Sequence, residues 1–148
     1  MDLSNILSPD CVRCVVEGTS KKKVLELIGQ LAASRLAGAA SFEVFESLLN
    51  RERLGSTGIG LGVAIPHGRL AGIHKPIAVL LTLSSPIDFD AIDNQPVDIV
   101  FALLVPEEQH EQHLQTLAAV AQRMNEKTMT RALRDAQSDQ ELYDLLVG

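Results

Sequence analysis

The residue with the clearest capacity for chemistry is His67, which follows a short apolar run and stands between Pro66 and Gly68. The run 63–65 predicts a buried strand, and Pro66 ends that strand because proline has no backbone N–H to give to the ladder. His67 is therefore expected at a strand end, with Gly68 leaving room for a large group to approach. Because histidine titrates near neutral pH, a ring in this position is suited to react with a partner.

A glycine-rich segment, residues 55–62, leads into this strand. It is either a flexible connection between a helix and a strand, or a cradle in which backbone N–H groups and the hydroxyls of Ser56 and Thr57 meet a phosphate. It is not a P-loop, since no Gly-Lys-Ser/Thr closes it and no strand precedes it. Nucleotide binding is therefore not expected.

The other histidines and the cysteines give weaker signals. His110 and His113 are one helical turn apart, but no carboxylate cluster of suitable geometry accompanies them, so no metal ion is expected. His113 precedes Leu114 and is expected at the edge of a buried helical stripe, from which it could lean into a pocket. Cys11 and Cys14 form a C-x-x-C without a second pair, and their odd spacing sends them to opposite faces of a strand.

Composition indicates one domain spanning residues 1–148. Hydrophobic residues make up 46% and charged residues 22% of the chain, as in ordinary globular proteins. The net charge of −6 argues against nucleic acid as a partner, and the basic run at residues 21–23 is read as a solvated helix face. No secretion signal or apolar stretch of membrane-spanning length is visible, so we expect a cytoplasmic protein that does not insert into a membrane.

Periodicity predicts an α/β sheet sandwiched by helices. Strands are predicted over residues 11–16, 63–65, 77–83 and 98–105, the last two covered on both faces. Helices are predicted from Lys22 to Gly38, from an N-cap at Ser41 through Arg51, over 111–124 with Leu114 buried, over 129–133, and from an N-cap at Ser138.

Four segments carry a family resemblance: RERLGSTGIGLGVAIPHG, FDAIDNQPVD, FALLVPEEQHEQHLQTL and AQSDQELYDLL. In this order they resemble the enzyme IIA proteins of the bacterial phosphotransferase system, of the mannitol/fructose type, and within that type the nitrogen-regulatory branch. The resemblance spans nearly the whole chain. It implies the fold of that family, an α/β structure with a mixed β-sheet core sandwiched by helices.

The resemblance also implies a function. His67 would accept a phosphoryl group from a phosphohistidine on a small HPr-like carrier, with Arg51 and His113 near it and no metal or cofactor. The phosphorylation state would then regulate target proteins such as transporters or sensor kinases, and a monomer or weak dimer would suffice. The alternatives are a sugar-specific enzyme IIA that passes phosphate to a transporter IIB domain, and a non-catalytic binding module.

Phosphoryl transfer has a loose transition state, so the protein mainly positions groups and neutralises oxygens. We expect Nε2 of His67 to attack while Nδ1–H is held by a backbone carbonyl, Arg51 to offset phosphate charge, and His113 to bond a phosphate oxygen. Relatives commonly have Asn where this chain has Leu61, and some have histidine in place of Gln115. The first difference predicts that a polar contact near the site is missing.

Overall fold

The computed structural model describes residues 3–36, 41–108 and 110–148, with the side chain of His110 left aside. The predicted helix end at Gly38 lies outside these residues. The described part of the chain forms a 3₁₀ turn, six strands and five helices, in the following order: the turn Leu3–Asn5, β1 Leu7–Val16, α1 Lys21–Ala33, α2 Ser41–Arg53, β2 Gly58–Gly60, β3 Val63–Ala64, β4 His67–Leu70, β5 Ile77–Ile87, β6 Val97–Pro106, α3 His110–Met124, α4 Lys127–Asp135 and α5 Asp139–Val147.

The sheet is mixed, as the resemblance implied. Its order is β1-β5-β6-β3-β2, and β4 pairs with β6 beside this path. β5 and β6 are antiparallel, whereas β1 runs parallel to β5, and β3 and β4 run parallel to β6. The glycine-rich segment, for which a flexible connection was one of two interpretations, contributes β2, which pairs antiparallel with β3.

The expectation that the strand stops at Pro66 is only half correct. Val63 lies beside Ile99 in β6, and His67 lies beside Leu103 further along the same strand. The chain therefore leaves the ladder at Ile65 and Pro66 and rejoins it, and Leu103 N donates to the Pro66 carbonyl at 2.9 Å. His67 begins a strand at a break in the ladder, because proline removes one donor without removing the carbonyl acceptors on either side.

The two faces of the sheet carry two separate hydrophobic cores. Alternate residues of β6 point to opposite faces: Val100, Ala102 and Leu104 pack with α1 and α2. Phe101 and Leu103 pack with the helices α3 to α5. The prediction of a strand covered on both faces is confirmed for β6. Cys11 and Cys14 are likewise divided between the two cores.

The helix predictions hold in position and differ in two details. Ser41 is the first residue of α2 rather than a cap outside it, whereas Ser138 caps α5 by accepting from Glu141 N at 3.1 Å. The buried face of α3 is confirmed at its C-terminal end, where Met124 is buried and Leu117 and Ala121 pack against the core. At its N-terminal end the prediction of a buried Leu114 is wrong: Leu114 is 53% exposed, and its neighbour His113 is buried instead.

Gly68 serves a different purpose from the one predicted. It lies beside Leu104, on the face that α2 covers, and a Cβ there would collide with Ser47 Oγ and lie 3.1 Å from Ser47 O. Ser47 Oγ donates to the Arg69 carbonyl at 2.6 Å. The missing side chain therefore lets α2 approach β4, and Arg51 is one turn further along the same helix.

We predict that Gly68→Ala lowers the free energy of unfolding by about 1–3 kcal/mol, because the new methyl group pushes α2 away from β4. Chemical denaturation measures the change. In the matched double variant Ser47→Ala/Gly68→Ala the hydroxyl is gone, so part of the loss should be recovered relative to the sum of the single variants. Strict additivity of the two substitutions would contradict the assigned contact.

Candidate functional site

The ring of His67 is held in one orientation by the break in the ladder. Its Nδ1 lies 2.8 Å from the carbonyl oxygen of Ile65. A carbonyl can only accept, so Nδ1 carries the proton of the neutral ring and Nε2 keeps its lone pair. The side chain is half-buried. The geometry matches the expected arrangement of a backbone-held Nδ1–H and an unprotonated Nε2.

The surroundings favour the neutral form of this ring. Burial lowers the pKa of His67 below its usual value, and the positive charge of Arg51 lowers it further. The hydrogen bond to Ile65 and the negative charge of Glu52 act in the opposite direction, but desolvation is the largest effect. At neutral pH the ring is therefore uncharged, and its nitrogen can act as a nucleophile.

Arg51 lies in the last turn of α2, as the sequence indicated. Its Nη1 donates to the Gly55 carbonyl at 2.8 Å, which folds the guanidinium back over the glycine-rich segment. A guanidinium has five N–H donors, so this bond leaves others for an anion. The positive charge of Arg51 acts on the His67 ring and contributes to its lowered pKa.

Glu52 is a site residue that the sequence analysis missed. Its side chain is only 2% exposed and pairs with Lys21 Nζ at 2.7 Å. The carboxylate also accepts from the backbone N–H and the hydroxyl of Thr57. One signal was available: a carboxylate in the last turn of a helix opposes the helix dipole, and so requires compensating partners.

Lys21 is correspondingly not part of a solvated face. Besides its ion pair with Glu52, its ammonium group lies 4.7 Å from the ring centre of Phe89 and donates to the Phe89 carbonyl at 3.3 Å. Lys22 and Lys23 are exposed, as expected. The helix therefore divides this basic run into one partly buried, paired charge and two solvated ones.

The predicted phosphate contacts of Ser56 and Thr57 are not what the structure displays. Ser56 Oγ donates to the Phe89 carbonyl at 2.7 Å and accepts from Gly58 N at 3.0 Å. Thr57 is buried, with its hydroxyl donated to Glu52. Both hydroxyls shape the turn between α2 and β2 because internal acceptors already engage them.

His113 lies deeper than the sequence indicated. It is 4% exposed and occupies the buried stripe near the start of α3, which follows directly on the end of β6. His67 lies beside Leu103, which belongs to the core that α3 covers. Chain topology therefore directs both histidines to the same end of β6. Among the described residues, no group of three His, Cys, Asp or Glu side chains could hold a metal ion.

Exposed apolar side chains accompany the site. Leu54 follows the last turn of α2 and is solvent-exposed, as is Leu114, the neighbour of His113. Within the described ranges, no helix has both the length and the apolar content needed to cross a bilayer.

We predict that Glu52→Ala lowers the free energy of unfolding by about 2–4 kcal/mol, because it leaves the buried Thr57 N–H and the Lys21 charge without their acceptor. Urea denaturation measures the effect. Glu46→Ala, a change of the same type at an exposed position of the same helix, is the matched control and should change the free energy of unfolding by no more than about 0.5 kcal/mol, the usual range for surface substitutions. Equal losses in the two variants would contradict the assigned role of Glu52.

Known proteins resemble this chain over nearly its whole length. Residues 5–147 match the family described as "Phosphoenolpyruvate-dependent sugar phosphotransferase system, EIIA 2". The chain is 53% identical over 147 residues to a nitrogen regulatory protein of Klebsiella oxytoca, covering 99% of this chain and 90% of that protein. It is 51% identical to the one of Escherichia coli K12, with the same coverage.

Solved structures show the same relationship. The crystal structure of nitrogen regulatory protein IIA-Ntr from Neisseria meningitidis superposes with a TM-score of 0.89 at 37% identity, covering 97% of this chain and 98% of that one. A sequence match over nearly the whole chain and a shared fold lead to one conclusion: the chain belongs to the EIIA type 2 family of the phosphotransferase system, on the branch of the nitrogen regulatory proteins.

Proposed function

We propose that Nε2 of His67 accepts a phosphoryl group from a phosphohistidine of an HPr-like carrier, and that the phosphorylated and unmodified forms of this nitrogen regulatory protein act on different targets. One observation carries the proposal: the Nδ1 bond to the Ile65 carbonyl leaves Nε2 as the only ring nitrogen with a lone pair. Family membership supports the same reaction. The phosphoryl donor and the target proteins of such a relay would bind this protein in the cytoplasm.

The transfer breaks the P–N bond of the carrier and forms a P–N bond at Nε2 of His67. The electron pair of the broken bond returns to the carrier's imidazole. The His67 ring gains positive character as it is phosphorylated, and the Ile65 carbonyl stabilises that charge through the retained Nδ1–H. No proton has to move before the attack, because the ring is already neutral.

Arg51 and His113 would neutralise the transferred group. Arg51 is anchored by one N–H to Gly55 and would direct others at the phosphoryl oxygens, a geometry that suits a guanidinium. His113 would donate to an oxygen from the buried side, where a hydrogen bond to a charged group is strengthened by the low local dielectric. Glu52 positions Arg51 indirectly, by fixing the turn that follows it.

The regulatory output would be a change of charge on an apolar surface. Phosphorylation adds a charge of about −1.5 to −2 at neutral pH, and two exposed leucines, Leu54 and Leu114, are close in sequence to Arg51 and His113. A charge placed in an apolar contact disfavours partners that bury the site and favours partners that supply cations. Equal affinity of the two forms for every partner would contradict this switch.

We predict that His67→Ala abolishes labelling by a phosphorylated HPr-like carrier, and that Arg51→Gln and His113→Ala slow it by about 10- to 1000-fold, the usual range for losing one charge-stabilising donor. The label should be labile in acid and stable in alkali. His74→Ala, at an exposed histidine, is the matched control and should be labelled at the normal rate. Label that persists in His67→Ala would overturn the proposal, and transfer onward to a sugar transporter's IIB domain would favour a sugar-specific component.

We predict that the pKa of His67, followed by NMR, lies below that of the same residue in the urea-unfolded chain, about 6.5. Since the folded-state pKa is the lower one, the unfolded chain takes up the proton first as the pH falls. Stability contributed by the neutral ring is thus complete above about pH 6.5 and is lost as the pH falls through the folded-state pKa.

Two variants test the cause of this shift. Arg51→Gln should raise the pKa of His67 and Glu52→Gln should lower it, because the first removes a like charge and the second an opposite one. A folded-state pKa at or above the unfolded value would contradict the proposed neutral nucleophile.

A further inference from the structure

Thr57 connects the buried ion pair to the ring of His67. The Thr57 N–H lies 3.3 Å from both oxygens of the Glu52 carboxylate, and the Thr57 hydroxyl donates to the same carboxylate. The Thr57 carbonyl accepts from Ile65 N at 2.9 Å. The Ile65 carbonyl in turn holds Nδ1 of His67. A chain of hydrogen bonds therefore links a buried carboxylate to the imidazole.

The backbone of Ile65 needs this support because it lies where the chain leaves the ladder. Ile65 and Pro66 stand between β3 and β4, and Pro66 has no N–H with which to pair. On the β2 side, Ile65 N donates to the Thr57 carbonyl. On the β6 side, the Pro66 carbonyl accepts from Leu103 N at 2.9 Å. Because a following proline restricts Ile65 to extended backbone, the position of its N–H sets where its carbonyl points.

The carboxylate end of this chain of bonds is firmly held. Thr57 is 5% exposed and the Glu52 side chain 2%, so both groups are removed from water. The carboxylate pairs with Lys21 Nζ at 2.7 Å, and that ammonium group also lies over the ring of Phe89. A hydroxyl bond to a carboxylate is charge-assisted and about twice as strong as a neutral one. Moving Thr57 would break buried bonds that water cannot replace.

A displacement of the Ile65 carbonyl would change the chemistry available at His67. Hydrogen bonds weaken steeply as their geometry departs from linear, so a misaligned carbonyl would no longer keep the proton on Nδ1. The proton would then also occupy Nε2 and remove the lone pair that attack on phosphorus requires. A misplacement of about 1 Å can lower the rate of a reaction by about 100-fold. The position of Thr57 therefore bears on the rate without contact between Thr57 and the phosphoryl group.

We propose that Thr57 is a positioning residue for phosphoryl transfer to His67. Its hydroxyl, fixed on Glu52, holds Ile65 in the place where the Ile65 carbonyl accepts from Nδ1. This role rests on the proposed function, because it concerns the same transfer. It differs from a phosphate contact, since the Thr57 hydroxyl is buried and donated to Glu52. Thr57 neither gains nor loses a proton during the transfer.

The first test observes the ring in the absence of a phosphoryl donor. Long-range ¹H–¹⁵N correlation spectra of the imidazole distinguish a proton on Nδ1 from a proton on Nε2. At neutral pH the original chain should show His67 with its proton on Nδ1. Thr57→Val and Thr57→Ala both remove the hydroxyl and keep the backbone groups, and each should show a mixture of the two tautomers. Thr57→Ser keeps the hydroxyl and should show the single tautomer again.

The second test measures labelling by a phosphorylated HPr-like carrier. Thr57→Val and Thr57→Ala should be labelled about 10- to 100-fold more slowly at saturating carrier. The carrier concentration that gives half the maximal rate should stay within about twofold of the original, because a buried residue makes no contact with the carrier. Thr57→Ser should be labelled at close to the original rate. Circular dichroism and thermal unfolding confirm that each variant is folded.

Thr82→Val is the matched control. Thr82 is 3% exposed and its Oγ1 accepts from Val15 N at 2.8 Å, so the same change removes a buried hydroxyl outside this chain of bonds and should leave tautomer and rate unchanged. An unchanged tautomer or an unchanged rate in both hydroxyl-free variants would overturn the role of Thr57, as would equal slowing in Thr82→Val. If the original chain takes up no label, the proposed function fails instead, and the tautomer spectra still decide whether Thr57 orients the ring.

Discussion

The break in the ladder at Ile65 and Pro66 is the constraint on which the site depends. A continuous strand would commit its carbonyls to the neighbouring strand. Here Pro66 interrupts the run, the chain resumes beside Leu103, and the Ile65 carbonyl is left to accept from Nδ1 of His67. One imino acid thereby fixes the tautomer of the ring, its orientation and its exposure together. The sheet continues through β4, so this local irregularity is held on both sides by regular pairing.

The buried Glu52 carboxylate is a second constraint on the site. The Glu52 carboxylate lies almost fully buried between Lys21 and Thr57, and it joins the start of α1, the end of α2 and the glycine-rich segment. Such a buried pair is costly to desolvate and is retained where its hydrogen bonds are satisfied. The Glu52 carboxylate fixes the turn that follows Arg51. That turn includes Gly55, whose carbonyl accepts from the Arg51 guanidinium and so holds it in place. The small residue at Gly68 acts in the same direction by letting α2 approach β4.

The charge state of the site follows from these contacts. A histidine beside an arginine and partly removed from water is disfavoured as a cation, and a neutral imidazole is what attack on phosphorus requires. Arg51, which adds to the effect of burial in favouring the neutral ring, would under the proposed function also be the group that meets the incoming phosphoryl oxygens. Under the proposed function, a phosphoryl group on His67 would place a new charge at this site and so change which protein can bind there.

Sequence alone determined the class of fold and most element positions, and it singled out His67 as the candidate reactive residue. Apolar periodicity is local, so β6, α3 and the capped start of α5 could be read from spacing, and the four motif segments indicated the family. The sequence did not determine which of two neighbouring residues at the start of α3 is buried, His113 or Leu114. Helical periodicity places the apolar face only to within about one residue, so it could not decide between them. Nor did it reveal that Ser56 and Thr57 are bonded internally, or that Glu52 and Lys21 pair across 31 positions. Those features depend on which surfaces meet, and only the packing of α1, α2 and the sheet brings residues so distant in the chain within hydrogen-bonding distance.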